Sequence, residues 1–260
     1  MCLIAFSYRN HPRYDLVFAA NRDEFYERPT RDAQFWEERP RLLAGRDLKA
    51  GGTWMGITRG GRLAALTNYR DMDNHNPEAA SRGELVLEAL AYGGDTAELL
   101  REIDARAGRY NGFNLLAGSV CRLHYYSSRE RRVRELDPGL YGLSNHLLDT
   151  PWPKVRCAKS ALAEILAGED PDREALFGML LDRKEASGEQ LPDTGLPPER
   201  EKAVSPVFIR SEGYGTRCST VLTVDKKGQV YFEERVYRPG SLEVQSRNRY
   251  EFTLEAELQS

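Results

Sequence analysis

Long apolar runs are missing from this sequence. No stretch approaches the roughly 18 residues that a membrane-crossing helix needs, so no helical membrane span is expected. The opening "CLIAF" is short and has no basic stretch before it, so it does not read as a secretory signal peptide. Cysteine is scarce: Cys2, Cys121, Cys157 and Cys218 are widely separated, with no CxxC and no histidine at ligand spacing. That excludes a disulfide framework and a structural zinc site, and it predicts reduced thiols in a cytoplasmic protein with no metal and no cofactor. An excess of charge of one sign is also absent. The chain has 37 Lys+Arg against 40 Asp+Glu, a net charge of -3, which gives no electrostatic case for a nucleic-acid partner. The run "RERRVRE" at 129–135 is interrupted by acids and reads as an exposed strand or turn. There is no internal repeat of solenoid period.

What is present suits a folded chain. Of its 260 residues, 40% are hydrophobic and 30% charged, a globular rather than disordered balance, and the expectation is one domain over 1–260. Apolar runs at 2–8 and 15–20 flank the polar turn "RNHPRY" and predict a hairpin whose second strand ends in "NRDEF". Residues 26–50 are polar and proline-punctuated and read as a long loop. Strands over 53–59 and 62–68 meet at Gly60-Gly61, which suits a tight hairpin. Ser81 and Glu84 form a capping box that opens a helix, and 96–108 carries a second helix with Leu99, Leu100 and Ile103 on one face. Strands are expected at 112–119, 121–128, 131–136 and 139–145, and helices at 154–167 and 171–182. Residues 183–202 read as a loop or mobile excursion. The end is β again, at 218–224, 229–237 and 248–256. Long hairpins with helices in separate blocks predict an α+β fold, with two antiparallel sheets and helices outside.

The residues able to do chemistry begin with Cys2. Methionine aminopeptidase commonly removes a methionine that precedes cysteine. The mature chain would then carry an α-amine and a thiol on one residue, and their ordinary pKa values lie close together. One can take the other's proton near neutral pH, so no histidine partner is needed. The competing reading of Cys2 is a small apolar residue that starts a buried strand. If the first hairpin forms, Asn21, Arg22, Asp23 and Glu24 lie beside Cys2. A carboxylate there would hold the amine, and an arginine would favour the thiolate. Asn68 and Asn145 each end an apolar strand, and they are either oxyanion donors or turn formers. Arg217 heads a strand after "GYGT"; it is a clamp for a carboxylate or phosphate, a cation tuning Cys2, or a surface ion pair. His11, His75, His124 and His146 read as solvated or structural, with His146 notable for following Asn145.

The ordered set "MCLIAF", "AANRDEFYERPT", "GGTWMGIT", "ALTNYRD", "GLSNHLLDTPWPKV" and "YGTRCSTV" resembles the NRDE-motif family, which includes the transport and Golgi organisation protein 2 homologues. That family is similar in turn to N-terminal-nucleophile hydrolases of the choloylglycine hydrolase and penicillin V acylase kind. The resemblance implies a four-layer α/β/β/α sandwich. It implies Cys2 as nucleophile, Asn21 and Asp23 as the Asn-x-Asp, Asn68 and Asn145 as oxyanion asparagines, and Arg217 as the late arginine. The hydrolases carry arginine just before the Asn-x-Asp; here Ala20 holds that place and the arginine is Arg22, inside the motif. The expected activity is that of a cysteine amidohydrolase or acyltransferase acting on a small acyl or amide substrate. The alternative is a non-catalytic carrier or chaperone for haem, acyl-CoA or lipid, since eukaryotic relatives are linked to lipid and haem trafficking.

Overall fold

The computed structural model describes residues 2–255. β1 (Cys2–Tyr8) and β2 (Tyr14–Phe25) make the expected first hairpin. Ile4, Phe6 and Tyr8 share one core with Leu16, Phe18 and Ala20. Leu3, Ala5, Val17 and Ala19 face the opposite way into another. Both faces of this hairpin are therefore buried, which is why its strands read as nearly continuous apolar runs. The polar residues 21–24 are not the turn after β2 but part of the strand itself.

Residues 26–50 depart from the expected loop. They hold β3 (Thr30–Trp36) and β4 (Arg39–Asp47). Two register shifts in this pair, between Arg31 and Gln34 and between Phe35 and Trp36, break the period-two pattern by which a strand is recognised. β5 (Met55–Thr58) and β6 (Arg62–Asn68) turn at Gly61, whose φ of 83° suits glycine. α1 (Gly83–Ala91) starts one residue later than a Ser81–Glu84 box requires. Arg82 is its N-cap, without a side-chain cap, and Glu84 instead accepts the Tyr110 hydroxyl. α2 (Thr96–Ala105) is capped by Asp95, which accepts from the N–H groups of Ala97 and Glu98.

Strands β7 (Phe113–Ser119), β8 (Arg122–Ser127), β9 (Arg132–Glu135) and β10 (Gly139–Leu143) follow. Then come α3 (Pro153–Ile165) and α4 (Arg173–Met179). The expected excursion at 183–202 contains a short helix, α5 (Pro198–Ala203). The chain closes with β11 (Arg210–Ser211), β12 (Tyr214–Asp225), β13 (Gln229–Tyr237) and β14 (Val244–Thr253). Ala256, the last residue of the expected final strand, lies outside the described residues.

The strands form two antiparallel sheets. One runs β10-β1-β2-β12-β13-β14, with β11 added on β12; the other runs β3 to β9 in chain order. The two sheets share a central core of Ile4, Phe18 and Phe232 against Leu43, Ile57 and Leu116. Helices α1 and α2 lay Leu85, Val86, Leu99 and Ile103 on the outer face of the second sheet, against Ala64, Leu66 and Leu115. Helices α3 and α4 lay Val155, Leu162 and Phe177 on the outer face of the first, against Leu3, Val17 and Val221. The result is the four-layer α/β/β/α arrangement of an α+β fold. Among the described residues, no helix is long and apolar enough to cross a membrane.

Candidate active site

Pairing puts four side chains in one row. Cys2 is opposite Arg22, Arg22 is opposite Cys218, and Cys218 is opposite Val236. Directly paired residues project from the same face of a sheet. That face is the inter-sheet one, because Ile4, Ala20, Leu222 and Phe232 on the same strands belong to the central core. At the end of the hairpin the apolar filling gives way to a cavity of about 470 Å³ lined by Cys2, Arg22, Glu24, Cys218, Glu234 and Val236. The second sheet contributes Gly45, Thr53, Trp54 and Asn68, and the segment before α1 contributes Pro77, Ala80, Ser81 and Arg82. The four letters NRDE thus divide by parity. Arg22 and Glu24 follow Ala20 towards the cavity, while Asn21 follows Ala19 towards the helices; Asp23, on that second side with Lys154, still reaches the cavity's border.

Cys2 is 7% exposed, and its sulfur takes a hydrogen bond from the main chain of Asp23. Burial raises the thiol above its ordinary range and the charge of Asp23 adds to this, while Arg22 works the other way. A thiol so placed stays protonated near neutrality and needs a base to become a nucleophile. Asp23 is 2% exposed and accepts the Thr216 hydroxyl at 2.7 Å. Burial pushes its carboxyl up, and the buried ammonium of Lys154 is the strongest opposing influence. Lys154 itself is brought down to about 8, by burial first and then by Arg70. Its Nζ donates to the Val204 carbonyl at 3.1 Å. Arg70 pairs with Glu201, both buried, and its guanidinium stands 4.9 Å from the centre of the Trp152 ring. A network of buried charges therefore underlies the strand end that carries Cys2.

The structure brings Cys2, Arg22, Asp23, Asn68 and Arg217 to the cavity; Asn21 and Asn145 do not line it. The Asn21 amide donates to the carbonyls of Leu180 and Val207 at 2.8 and 2.9 Å, and its oxygen accepts the Ser219 hydroxyl at 2.5 Å. It ties the first sheet to the segments that follow α4 and α5. The Asn145 amide is already engaged, at 2.9 Å, by the main-chain carbonyl of Asn68. Ser144 donates to the Cys2 carbonyl at 3.0 Å, so the 144–145 turn stitches the start of β1 to the end of β6. Arg217 is the extra residue of a bulge between Thr216 and Cys218. Its Nη1 donates to the carbonyls of Phe25, Tyr26 and Arg28 at 2.9 to 3.1 Å. It therefore shapes the turn after β2 and leaves little of its fork for an anion. His146 faces Thr150, at 2.8 Å, and the Tyr69 ring rather than the cavity.

Three residues that sequence reasoning passed over take part. Glu234 lies on the cavity floor, its carboxyl raised by burial to about 6, and accepts the Ala33 N–H at 2.6 Å. Arg82 lines the wall. Asn114 holds Thr67 and the His146 carbonyl together, at 3.1 and 2.8 Å. A glutamate in a strand of otherwise apolar inward residues, "VYFEERV", was the available signal for Glu234. Arg82 and Asn114 gave none. Among the described residues, no cluster of His, Cys, Asp or Glu could hold a metal ion.

Comparison with known proteins agrees with this architecture. The family model "Transport and Golgi organisation 2" matches residues 1–239. The Transport and Golgi organization protein 2 homolog of Bos taurus is 41% identical over 256 residues, covering 90% of this chain and 92% of that protein. The Mus musculus homolog is 38% identical over 277 residues, covering 98% of this chain and 100% of its own. Among solved structures, the C2A mutant of the conjugated bile acid hydrolase from Clostridium perfringens superposes with a TM-score of 0.53 at 8% identity, over 96% of this chain and 92% of that one. At that identity the likeness concerns the fold alone.

Proposed function

The chain belongs to the Transport and Golgi organisation 2 family, and on that premise we propose that it is a cysteine N-terminal-nucleophile amidohydrolase or acyltransferase for a small acyl substrate. The observation that carries this reading is the position of Cys2. It is the first described residue of a central strand, its side chain opens on the cavity, and Asp23 lies on the neighbouring strand. Loss of Met1, which lies outside the described residues, would free the α-amine of Cys2. That amine takes the thiol proton, and the thiolate attacks the acyl carbon. The resulting oxyanion is met by Asn68 on the cavity wall, which Asn145 holds in place through its carbonyl. The ammonium returns its proton to the leaving group as the carbon–leaving-group bond breaks, leaving a thioester on Sγ. Water, deprotonated by the same amine, or a second acceptor then releases the acyl group. Asp23 anchors the amine, Arg22 lowers the cost of the thiolate, and Arg217 holds the turn after β2 in shape.

The test is Cys2→Ala. The variant should keep its melting temperature within a few degrees and lose the covalent adduct that intact mass reveals after treatment with an activated acyl ester. An adduct that persists on the variant, or never forms on the wild-type protein, refutes the mechanism. The carrier reading, with haem, acyl-CoA or lipid as cargo, draws on the same cavity and on a thiol that burial keeps protonated. It is favoured if Cys2→Ala retains ligand and the wild type shows no turnover. Cys121 and Cys157 are free and exposed, which fits the reducing cytoplasm as the compartment.

A further inference from the structure

Among the described residues, several cations of the cavity wall have no paired acid, and Arg82 is one of them. Arg82 stands where the chain enters α1, and the neighbouring turn is packed hard against it. A Cβ on Gly52 would lie 2.6 Å from the Gly83 carbonyl carbon, so the two segments meet backbone to backbone. That contact fixes the stretch from which Arg82 reaches the cavity. Its Nη1 donates to the Gly112 carbonyl at 3.0 Å. Among the described residues no carboxylate is paired with its guanidinium. The strongest acidic influence on it is that of Glu24. Glu24 is already shared, at 3.9 Å from Arg22 and 3.9 Å from Arg28, and Arg28 also holds Asp47 at 2.7 Å. Arg22, Arg28 and Arg82 thus have these two carboxylates between them, and over the whole lining seven Lys and Arg side chains stand against five Asp and Glu, so the wall carries positive charge in excess. A largely desolvated cation without a counter-charge is unfavourable. Here it borders the same cavity as the candidate nucleophile.

We propose that Arg82 anchors an anionic group of the acyl substrate, a carboxylate or a phosphate, and so brings the acyl carbon to the Cys2 sulfur. This rests on the reading of Cys2 as a nucleophile and supplies what that reading lacked, a class of substrate. The planar guanidinium offers two parallel donors to either anion. With one Nη engaged by Gly112, its orientation is fixed before the ligand arrives. Arg28, held by Asp47, and Arg217, whose Nη1 is taken by three main-chain carbonyls and whose Nε is buried, are less suited to the same task.

Calorimetric binding to the Cys2→Ala protein separates recognition from chemistry. Three probes of similar size serve: acetyl phosphate, S-acetylmercaptoacetate, and the uncharged S-acetyl-N-acetylcysteamine. At least one anion should bind about tenfold or more tightly than the neutral probe, a difference of about 1.4 kcal/mol. The stronger of the two anions identifies the source. Adding Arg82→Gln should abolish the preference and leave neutral binding unchanged, while Arg82→Lys, which keeps charge but not the fork, should retain part of it. Equal binding of all three probes, or a preference that survives Arg82→Gln, overturns the proposal. Should Arg82→Gln fail to fold, the probe comparison on Cys2→Ala and the Arg82→Lys variant still decide it. Acylation of the wild-type protein by the same probes, read by intact mass, is independent. Its absence alongside a clear anion preference refutes the nucleophile and leaves the anion anchor standing.

Discussion

A buried asparagine inside a strand has to spend its amide somewhere. Asn21 spends it on two carbonyls of segments far away in sequence, and its oxygen takes a hydroxyl from the neighbouring strand. Asn21→Ala would leave two buried carbonyls and the Ser219 hydroxyl without that partner. At about 1–3 kcal/mol for a buried polar group left unsatisfied, and with relaxation recovering part, a loss of about 2–4 kcal/mol is expected in urea unfolding. A loss below 1 kcal/mol would show that the contacts contribute little. Residue identity was legible where it was local. The thiol at position 2 and the polar end of β2 announced themselves. What Asn21, Asn145 and Arg217 do was not legible, because each contacts main-chain groups, and a carbonyl carries no signature of its position in the chain.

Strand pairs show the same limit at a larger scale. The β1–β2, β5–β6 and β12–β13 hairpins could be read from alternation and turn residues, whereas β3 and β4 could not. The bulge around Asp32 and Ala33 takes those residues out of the β3–β4 ladder, and sheet one supplies partners from the side. Glu234 accepts the Ala33 N–H, the Tyr250 hydroxyl donates to the Ala33 carbonyl, and Ser246 donates to Asp32. The irregularity that hides β3 in the sequence is thus what docks it. Glu234 makes this docking sensitive to pH. Its folded carboxyl titrates at about 6 against an ordinary 4.5. Below 4.5 it is protonated in both folded and unfolded chains. Between about 4.5 and 6 the folded form binds the proton more tightly, so stability falls as pH rises through that window, by roughly 2 kcal/mol in all. Glu234→Gln keeps an acceptor for Ala33 and removes the titration. Its stability relative to wild type should rise by about that amount between pH 4 and pH 7. A difference that stays constant across that range in urea titrations would exclude the effect.

The whole molecule depends on one apolar layer shared by two sheets. Phe6 lies at its centre, fully buried, with ring centroids 5.2 Å from Tyr141 and 6.1 Å from Phe18. Phe6→Ala should cost about 3–5 kcal/mol and lower Tm by about 10 °C. A shift of less than about 3 °C in calorimetry would mean that the layer collapses around the gap. The α+β class and the layering followed from the block order of strands and helices. The cavity did not, because it arises where the alternating apolar residues of several strands run out together, and only strand register decides where that happens.

The doubled position in β12 bears on how the gene can change. Removing the codon for Arg217 would close the bulge and leave Cys218, Ser219 and everything after them facing as they do now. Removing one codon between 219 and 223 would instead turn the remainder of the strand over, exchanging its oily and hydrophilic sides. Within β12, then, the loss of a residue is compatible with the sheet's alternation at the bulge, beside the candidate nucleophile.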